Sequence, residues 1–364
     1  MWYPWLITLA VLAILTLMSI TVVTYVQLRK TDDRLVSFQN EWKQSTTREQ
    51  NHRLSHAKQL EDKFEQVERK MDDRNRGESW MSQKIDEILA FIRVKHTPKH
   101  VVNYEPFERL CIQASLDPTV LNTFRGTPEV IDMLEHVPEH QGPDFLRVIQ
   151  ILADESKVEL PWSSIQLNDH VGSPKLSTYV WKDETLSICP TTLRYVMLAL
   201  HSLLQMKNSY RVEPVSVIEI GAGYGGQCAM IFKLAPLFGV EILSYTILDL
   251  DGPRALQKAF LSRQLTQAQQ DLVQYVHVNN PLLRQLLKPK SFLFSAYAYS
   301  EICREVQSEY NRNLRGFVAH GRIVWNSIEQ PGDAFYDMLG VEPWQVLTHA
   351  EFPGTASHNL VYVF

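Results

Sequence analysis

The chain has 364 residues, of which 45% are hydrophobic and 21% charged, with a formal net charge of −5. That length exceeds one average domain and leaves room for accessory segments beside a large core, while the mild acidity argues against broad electrostatic binding to nucleic acid. Cys111, Cys189, Cys228 and Cys303 form no CxxC pair and neighbour no spaced histidine pair, which argues against a zinc site or a disulfide scaffold and leaves buried free thiols.

No charged residue occurs from Met1 to Leu28, and Trp5–Val26 is almost continuously apolar. As a helix this run covers roughly 33 Å, enough to cross a bilayer core. Trp2, Tyr3, Trp5 and Tyr25 lie at its ends, where aromatic belts form. A transmembrane anchor over 1–28 is expected; a cleaved signal peptide fits less well, because no basic region precedes the run. Arg29, Lys30 and Arg34 follow it, and the positive-inside rule then places the C-terminal part in the cytosol, with a luminal arrangement left open. The absence of an Asn-x-Ser/Thr acceptor fits a domain that never meets a glycosylating lumen.

Residues 29–96 are rich in Gln, Glu, Lys and Arg. Leu60, Phe64, Val67 and Met71 follow a 4-3-4 spacing that Met81, Ile85, Ile88 and Ile92 repeat, with Arg74 and Glu78 on the seam between them. That pattern predicts a coiled-coil stalk able to self-associate, the alternative being a solvated helix packed on its own domain. Residues 97–195 are broken by Pro106, Pro118, Pro128, Pro138, Pro143 and Pro161 and contain helical stretches such as Thr127–Val137 and Phe145–Ala153. They are read as a helical cap and substrate region, with a turn at Gly172-Ser173-Pro174 and a buried helix opening at Pro190.

The region 196–364 carries the chemistry. Val215–Ile220 is a β-branched run that ends in Gly221-Ala222-Gly223-Tyr224-Gly225-Gly226, and a helical stretch, Gln227–Leu237, follows at once. Glycines permit a tight turn and close approach of a ligand, and a helix N-terminus presents free N–H groups. A second strand, Glu241–Leu248, ends at Asp249-Leu250-Asp251, where an acid can accept ribose hydroxyls. Glu219, just before the glycines, would repel a pyrophosphate but suits a cofactor bearing an amino acid, which favours S-adenosyl-L-methionine over NAD.

The remaining elements alternate as a doubly wound sheet requires. Arg254–Leu265 is helical; Val273–Val278 is a strand ending at Asn279-Asn280, where adenine contacts are expected; Ser291–Tyr297 is a strand; Glu301–Leu314 is a helix. Gly316–Trp325 is a strand, Asp333–Leu339 a helix, and Glu342–Leu347 with Leu360–Phe364 a closing pair of strands. The predicted fold class is therefore α/β, a Rossmann-like seven-stranded class I methyltransferase sheet with helices on both faces, whose last strand inserts antiparallel.

Several stretches resemble the sugar O-methyltransferase family of bacteria and large DNA viruses. They are Gly172-Ser173-Pro174, Pro190-Thr191-Thr192-Leu193-Arg194-Tyr195, Ile218-Glu219-Ile220-Gly221-Ala222-Gly223-Tyr224-Gly225-Gly226-Gln227, Tyr245-Thr246-Ile247-Leu248-Asp249-Leu250, Tyr297-Ala298-Tyr299-Ser300-Glu301 and Glu351-Phe352-Pro353-Gly354-Thr355. The resemblance covers about residues 170–364, and Asp251 stands where the family often has proline. It implies S-adenosyl-L-methionine as cofactor and a sugar hydroxyl, in a glycan or nucleotide-sugar, as acceptor. Alternatives are a membrane-anchored scaffold with a non-catalytic methyltransferase fold and a nucleotide-dependent oxidoreductase.

The expected cofactor residues are Glu219, Gly221, Ala222, Gly223, Tyr224, Gly225, Gln227, Asp249, Leu250, Asn279 and Tyr297. A sugar hydroxyl is a poor nucleophile and needs help in losing its proton. Glu301, Tyr299, His349 and Glu351 are the candidate catalytic groups, with Asn326, His358, His170 and Arg194 as further candidates for the substrate side. A divalent metal is compatible with this chemistry, but no residue pattern indicates one.

Overall fold

The computed structural model describes residues 104–364, apart from Ile328, Thr355 and Ser357. The expected anchor and stalk lie outside the described residues. Among the described residues no helix is long and apolar enough to cross a membrane.

A cap precedes the sheet. Its first helix, α1 (Glu105–Leu116), starts with proline and buries Phe107, Leu110, Cys111 and Ala114. A long amphipathic helix, α2 (Gly142–Ser156), buries Phe145, Leu146, Ile149 and Leu152, whose spacing lays one apolar stripe along the helix. The cap is not wholly helical as expected. Strands β1 (Ser177–Trp181) and β2 (Glu184–Ile188) form an antiparallel hairpin, and β1 alternates buried and exposed residues. Trp181 turns inward to meet Trp162 edge to face, with ring centroids 5.0 Å apart. Helix α3 (Pro190–Tyr210) follows. It runs without a break through 195 and 196, where the sequence reading divides cap from catalytic region.

The main sheet is built from β3 (Val215–Ile220), β4 (Ile242–Leu248), β5 (Val273–Val276), β6 (Ser291–Ala296), β7 (Val318–Trp325), β8 (Leu347–Ala350) and β9 (Leu360–Val363). Their spatial order is β5-β4-β3-β6-β7-β9-β8. The first five are parallel, whereas β9 runs antiparallel to both β7 and β8. Every residue of β3 is buried, as expected of a central parallel strand covered on both faces. Period-two alternation sends Val215 and Val217 into one apolar core and Ile218 and Ile220 into the other. The first core takes side chains from α3, α4 (Gly226–Phe238) and α5 (Asp251–Gln264); the second takes them from α6 (Arg304–Leu314) and α7 (Asp333–Leu339).

This is the expected mixed seven-stranded, Rossmann-like sheet with a reversed strand inserted near one edge. Several boundaries shift by a few residues, the most at the closing strands. The strand read at Glu342–Leu347 begins only at Leu347, because Glu342 caps a single 3-10 turn over Pro343–Gln345 in a reciprocal capping box. In an open sheet of this order the chain reverses direction on either side of β3, so the crevice lies beyond the carboxyl ends of β3, β4 and β6. Helix α1 borders that crevice through Phe107. It packs against α5 at Gly252, where a Cβ would stand 2.5 Å from Glu108 Cγ and 2.8 Å from its carbonyl oxygen.

Candidate active site

The glycine loop leaves β3 with Gly221 at φ +69°, a conformation that disfavours any side chain. Space forbids one as well: a Cβ on Gly221 would lie 2.1 Å from the Ala298 Cβ. The loop therefore touches the turn that follows β6, and the two form adjoining walls of one cleft. Glu219, Gly221, Ala222, Gly223, Gln227, Asp249, Leu250, Asn279, Tyr297, Glu301, Asn326 and Arg194 all line it.

Tyr224 and Gly225 were expected to touch a cofactor, but neither lines the cleft. Tyr224 is fully buried behind the loop, edge to face with Phe124, Tyr195 and Phe260, with the Arg125 guanidinium 4.8 Å from its ring centre. It anchors the loop from below, and Gly225, in the left-handed region, is the residue before α4.

Asp249, at the end of β4, is engaged by the protein. Oδ2 accepts the Ala222 N–H at 3.0 Å and the Gln257 side-chain amide at 2.7 Å, and Oδ1 accepts the Leu250 N–H at 2.8 Å. The same Gln257 amide reaches the Gly223 carbonyl at 2.9 Å, so Gln257 ties the loop to the carboxylate. A carboxylate offers about four acceptor positions. One therefore remains open, on Oδ1, rather than the pair expected for two ribose hydroxyls. Burial raises the Asp249 carboxyl to about 6 against these hydrogen bonds.

Glu219 is 2% exposed, and the Tyr245 hydroxyl donates to its Oε2 at 2.7 Å. Burial pushes it up to about 8 from an ordinary 4.5, with the Tyr245 bond working the other way. The folded protein thus keeps a proton that the unfolded chain has released, and stability falls as pH rises from 4.5 towards 8. Glu219→Gln preserves an acceptor for Tyr245 and removes the titration. The variant is expected to melt higher than wild type by about 2–6 °C at pH 8, with the gain shrinking towards zero below pH 5. Melting curves across that range check it, and a gain independent of pH would refute the assignment.

The turn after β6 supplies the adjoining wall. Tyr297 sits at φ +69°, a strained value for a bulky residue. Its hydroxyl donates to Glu351 Oε1 at 2.5 Å, and Glu351 Oε2 accepts the Asn359 amide at 2.7 Å. Glu351, read as catalytic, is instead buried behind Tyr297 and positions that ring. Glu301 faces the cleft: Oε2 accepts the Tyr104 hydroxyl and Oε1 accepts the Asn326 amide, each at 2.7 Å. Ser300 Oγ steadies Asn326 through Oδ1 at 2.5 Å.

Two other catalytic candidates lie elsewhere. Tyr299 follows Tyr297 through a short helical turn, Ala298–Glu301, that aims its ring into the second core against Trp325 and Phe335. His349 is exposed on β8, with Nδ1 2.9 Å from the Ala350 carbonyl. His170 is also exposed, and His358 lies on the surface with Nε2 2.8 Å from the Asn326 carbonyl.

Sequence reasoning missed Tyr104, His136, Gln257 and Tyr310. Of these, Tyr104, His136 and Tyr310 line the cleft. Tyr104 only precedes a helix start, and His136 lies within a stretch read as ordinary helix, so nothing in the pattern marked them. His136 sits at the rim, where burial and then the charge of Arg194 lower its imidazole below its ordinary value, partly offset by Glu301 and Glu135. Among the described residues no three His, Cys, Asp or Glu side chains gather in a group able to hold a metal ion.

No protein-family profile and no curated protein matches the chain. Solved structures overlap it in part. The citrinin polyketide synthase CMeT domain is 16% identical with a TM-score of 0.33, covering 48% of this chain and 53% of that one. An O-methyltransferase family protein from Burkholderia thailandensis is 12% identical with a TM-score of 0.29, covering 46% and 56% respectively. Mitomycin 7-O-methyltransferase is 10% identical with a TM-score of 0.28, covering 47% and 56%. This chain thus spans about half the length of each.

Proposed function

We propose that the protein is an S-adenosyl-L-methionine-dependent O-methyltransferase whose acceptor is a sugar hydroxyl. One observation supports this reading above the rest: the buried Glu219 and the half-buried Asp249 bracket a glycine loop at the switch point of the sheet, and a third carboxylate, Glu301, lines the same cleft. The residues fit the cofactor. Glu219 has one hydrogen bond, from Tyr245, and opens on the cleft where an ammonium group would meet it. Asp249 keeps an acceptor for a ribose hydroxyl, and Leu250 and Asn279 border the space for an adenine ring.

When bound, the cofactor supplies an electrophilic methyl group on a sulfonium. The protein's part is to align an acceptor oxygen with that methyl and to take its proton. Glu301 is the group placed to take it. Tyr104 and Asn326 fix both of its oxygens, so the carboxylate is held in one orientation. The cap closes the cleft through Phe107, Met133 and Leu134, an apolar lid that keeps water from competing with the acceptor. The resemblance of residues 170–364 to sugar O-methyltransferases supports the acceptor class, and the oxidoreductase alternative is disfavoured by the position of Glu219.

Calorimetry of the full chain with S-adenosylhomocysteine tests the cofactor, and transfer of labelled methyl to a panel of oligosaccharides and nucleotide-sugars tests the acceptor. Micromolar binding and labelled product are expected; binding without transfer to any acceptor would favour the anchored scaffold. Glu301→Gln keeps the size of the side chain and an acceptor for Asn326, and the Tyr104 hydroxyl can turn to accept from the new amide. It is expected to lower transfer by about 10²–10⁴-fold while leaving S-adenosylhomocysteine affinity within about twofold, and an unchanged rate would remove Glu301 as the base.

A further inference from the structure

Arg322 stands in the middle of β7 and is 8% exposed. Among the described residues its guanidinium makes no ion pair or hydrogen bond, and Nε is fully enclosed. Arg125, by contrast, meets two carboxylates. Burial lowers the Arg322 guanidinium to about 10 with no carboxylate working against it, so at neutral pH the side chain is still a cation. A charge removed from water without a counter-charge or hydrogen bonds is disfavoured, and it is relieved by whatever anion can reach it.

The sheet and the helix that covers it bring two imidazoles to the same place. Level with Arg322 on the neighbouring strands are Val363 and Leu347, and in the next row Val324 is level with Val361 and His349. Paired residues and those two apart share a face, so Arg322 and His349 project from one side of the sheet. Helix α3 covers β7 on that side: the Tyr210 ring meets His320 with centroids 5.4 Å apart, and Gln205 Nε2 donates to the Gly321 and Phe364 carbonyls, each at 3.0 Å. Helix α3 therefore runs opposite to β7. Nine residues of helix rise about 14 Å and four of strand about 13 Å, which sets His201 level with the stretch from Arg322 to Val324. Burial first, and then the charges of Arg322 and His349, push the His201 imidazole down to about 3. His349 spends Nδ1 on the Ala350 carbonyl, and its Nε2 is left over. Helix α3 and strands β7, β8 and β9 contain no aspartate or glutamate. Leu347 is 63% exposed and His349 is exposed, so the cluster opens to solvent beside β8. None of Arg322, His201 and His349 lines the cleft.

We propose that Arg322, His201 and His349 form an oxyanion site between α3 and the β7–β9–β8 end of the sheet, apart from the catalytic cleft, and that its ligand is a phosphate group. Guanidinium–phosphate pairs are charge-assisted and strong. A phosphate also presents acceptor oxygens in several directions, which matches donors that arrive from a helix on one side and two strands on the other; a planar carboxylate serves donors in one plane. The phosphate is either the free ion or the end of a larger molecule that lies along the exposed β8.

The test is calorimetry of the full chain with inorganic phosphate, against chloride and acetate at matched ionic strength. Wild type is expected to bind phosphate saturably, with Kd at or below about 1 mM. Arg322→Met should weaken it about 10- to 100-fold. His349→Gln, on an exposed strand where folding is not at stake, should weaken it about two- to tenfold and keeps the test decisive if Arg322→Met does not fold. Glucose 1-phosphate as a second probe separates the two sources: tighter binding than inorganic phosphate identifies the end of a larger ligand, and equal binding identifies the free ion. Saturating S-adenosylhomocysteine should leave phosphate affinity within about twofold. A response no different from that to chloride or acetate would mean an adventitious ion only and overturn the proposal. Phosphate binding that survives unchanged in both variants, or that S-adenosylhomocysteine abolishes, would place the ion elsewhere and overturn it as well.

Discussion

Asp249→Asn is expected to reduce S-adenosylhomocysteine affinity by at least about 100-fold while leaving the protein folded. The carboxylate accepts three hydrogen bonds, from the amides of Ala222 and Leu250 and the side chain of Gln257. An asparagine has one accepting oxygen, so its NH₂ must face one of those donors. That mismatch costs about 1–3 kcal/mol. Part of it is returned, because the wild-type carboxylate is itself disfavoured by burial, which raises it to about 6. Binding recovers nothing comparable. The open position on Oδ1 is lost or reversed in polarity, and the glycine loop that Asp249 and Gln257 hold through Ala222 and Gly223 is released. Calorimetry beside a melting curve separates the two effects. Wild-type affinity in the variant would show that the cofactor does not use this carboxylate.

The largest loss of stability is expected at Arg125, which does not line the cleft. Its side chain is fully buried, with Nε 2.5 Å from Glu135 Oε1 and Nη1 2.9 Å from Asp169 Oδ1. Further bonds reach the Asn168 carbonyl at 2.9 Å and Thr192 Oγ1 at 3.3 Å. Asp169 in turn accepts the Cys189 N–H, at the start of α3, at 2.8 Å. This one guanidinium joins the cap, the start of α3 and, through Tyr224, the glycine loop. Although burial opposes it, Arg125 holds the Glu135 carboxyl below the ordinary range. Arg125→Met would leave two buried carboxylates without their counter-charge, at about 3–5 kcal/mol. The melting temperature should fall by about 10–15 °C. S-adenosylhomocysteine affinity should fall with it, since Met133, Leu134 and His136, beside Glu135, line the cleft. A change of only a degree or two would show that the pairing is balanced by the cost of burying it.

Much of the sheet was legible because a buried parallel strand writes itself as a continuous apolar run. Val215–Ile220 and Ile242–Leu248 do so, each followed by glycine or acid at the point where the chain turns. The β1–β2 hairpin was not legible. Its turn is Lys182-Asp183, without the glycine or asparagine that marks a tight hairpin, although Lys182 does adopt φ +53°. Within the site, glycines and acids at strand ends were readable because their local geometry demands those residue types. The aromatic and acidic side chains were not, because only tertiary packing decides their direction. Tyr224 looked like a ligand platform and is core; Tyr299 lies two residues from Tyr297 and points to the opposite layer; Glu351 looked like a base and is a prop. The Arg125 cluster left no trace at all, since three isolated charges in a sequence read as solvated surface.

The contact between Gly221 and Ala298 carries one more implication. These two residues come from separate turns, yet they share a single allotment of volume: a methyl group is accommodated on one side only because the other has none. Bulk added at 298 should therefore be as damaging as a side chain at 221, and homologous chains should keep the combined size of the pair constant even where each residue varies. The gauge of the crevice is thus written twice in the chain, and enlarging it for a bulkier acceptor would have to begin elsewhere, among the cap residues that roof it.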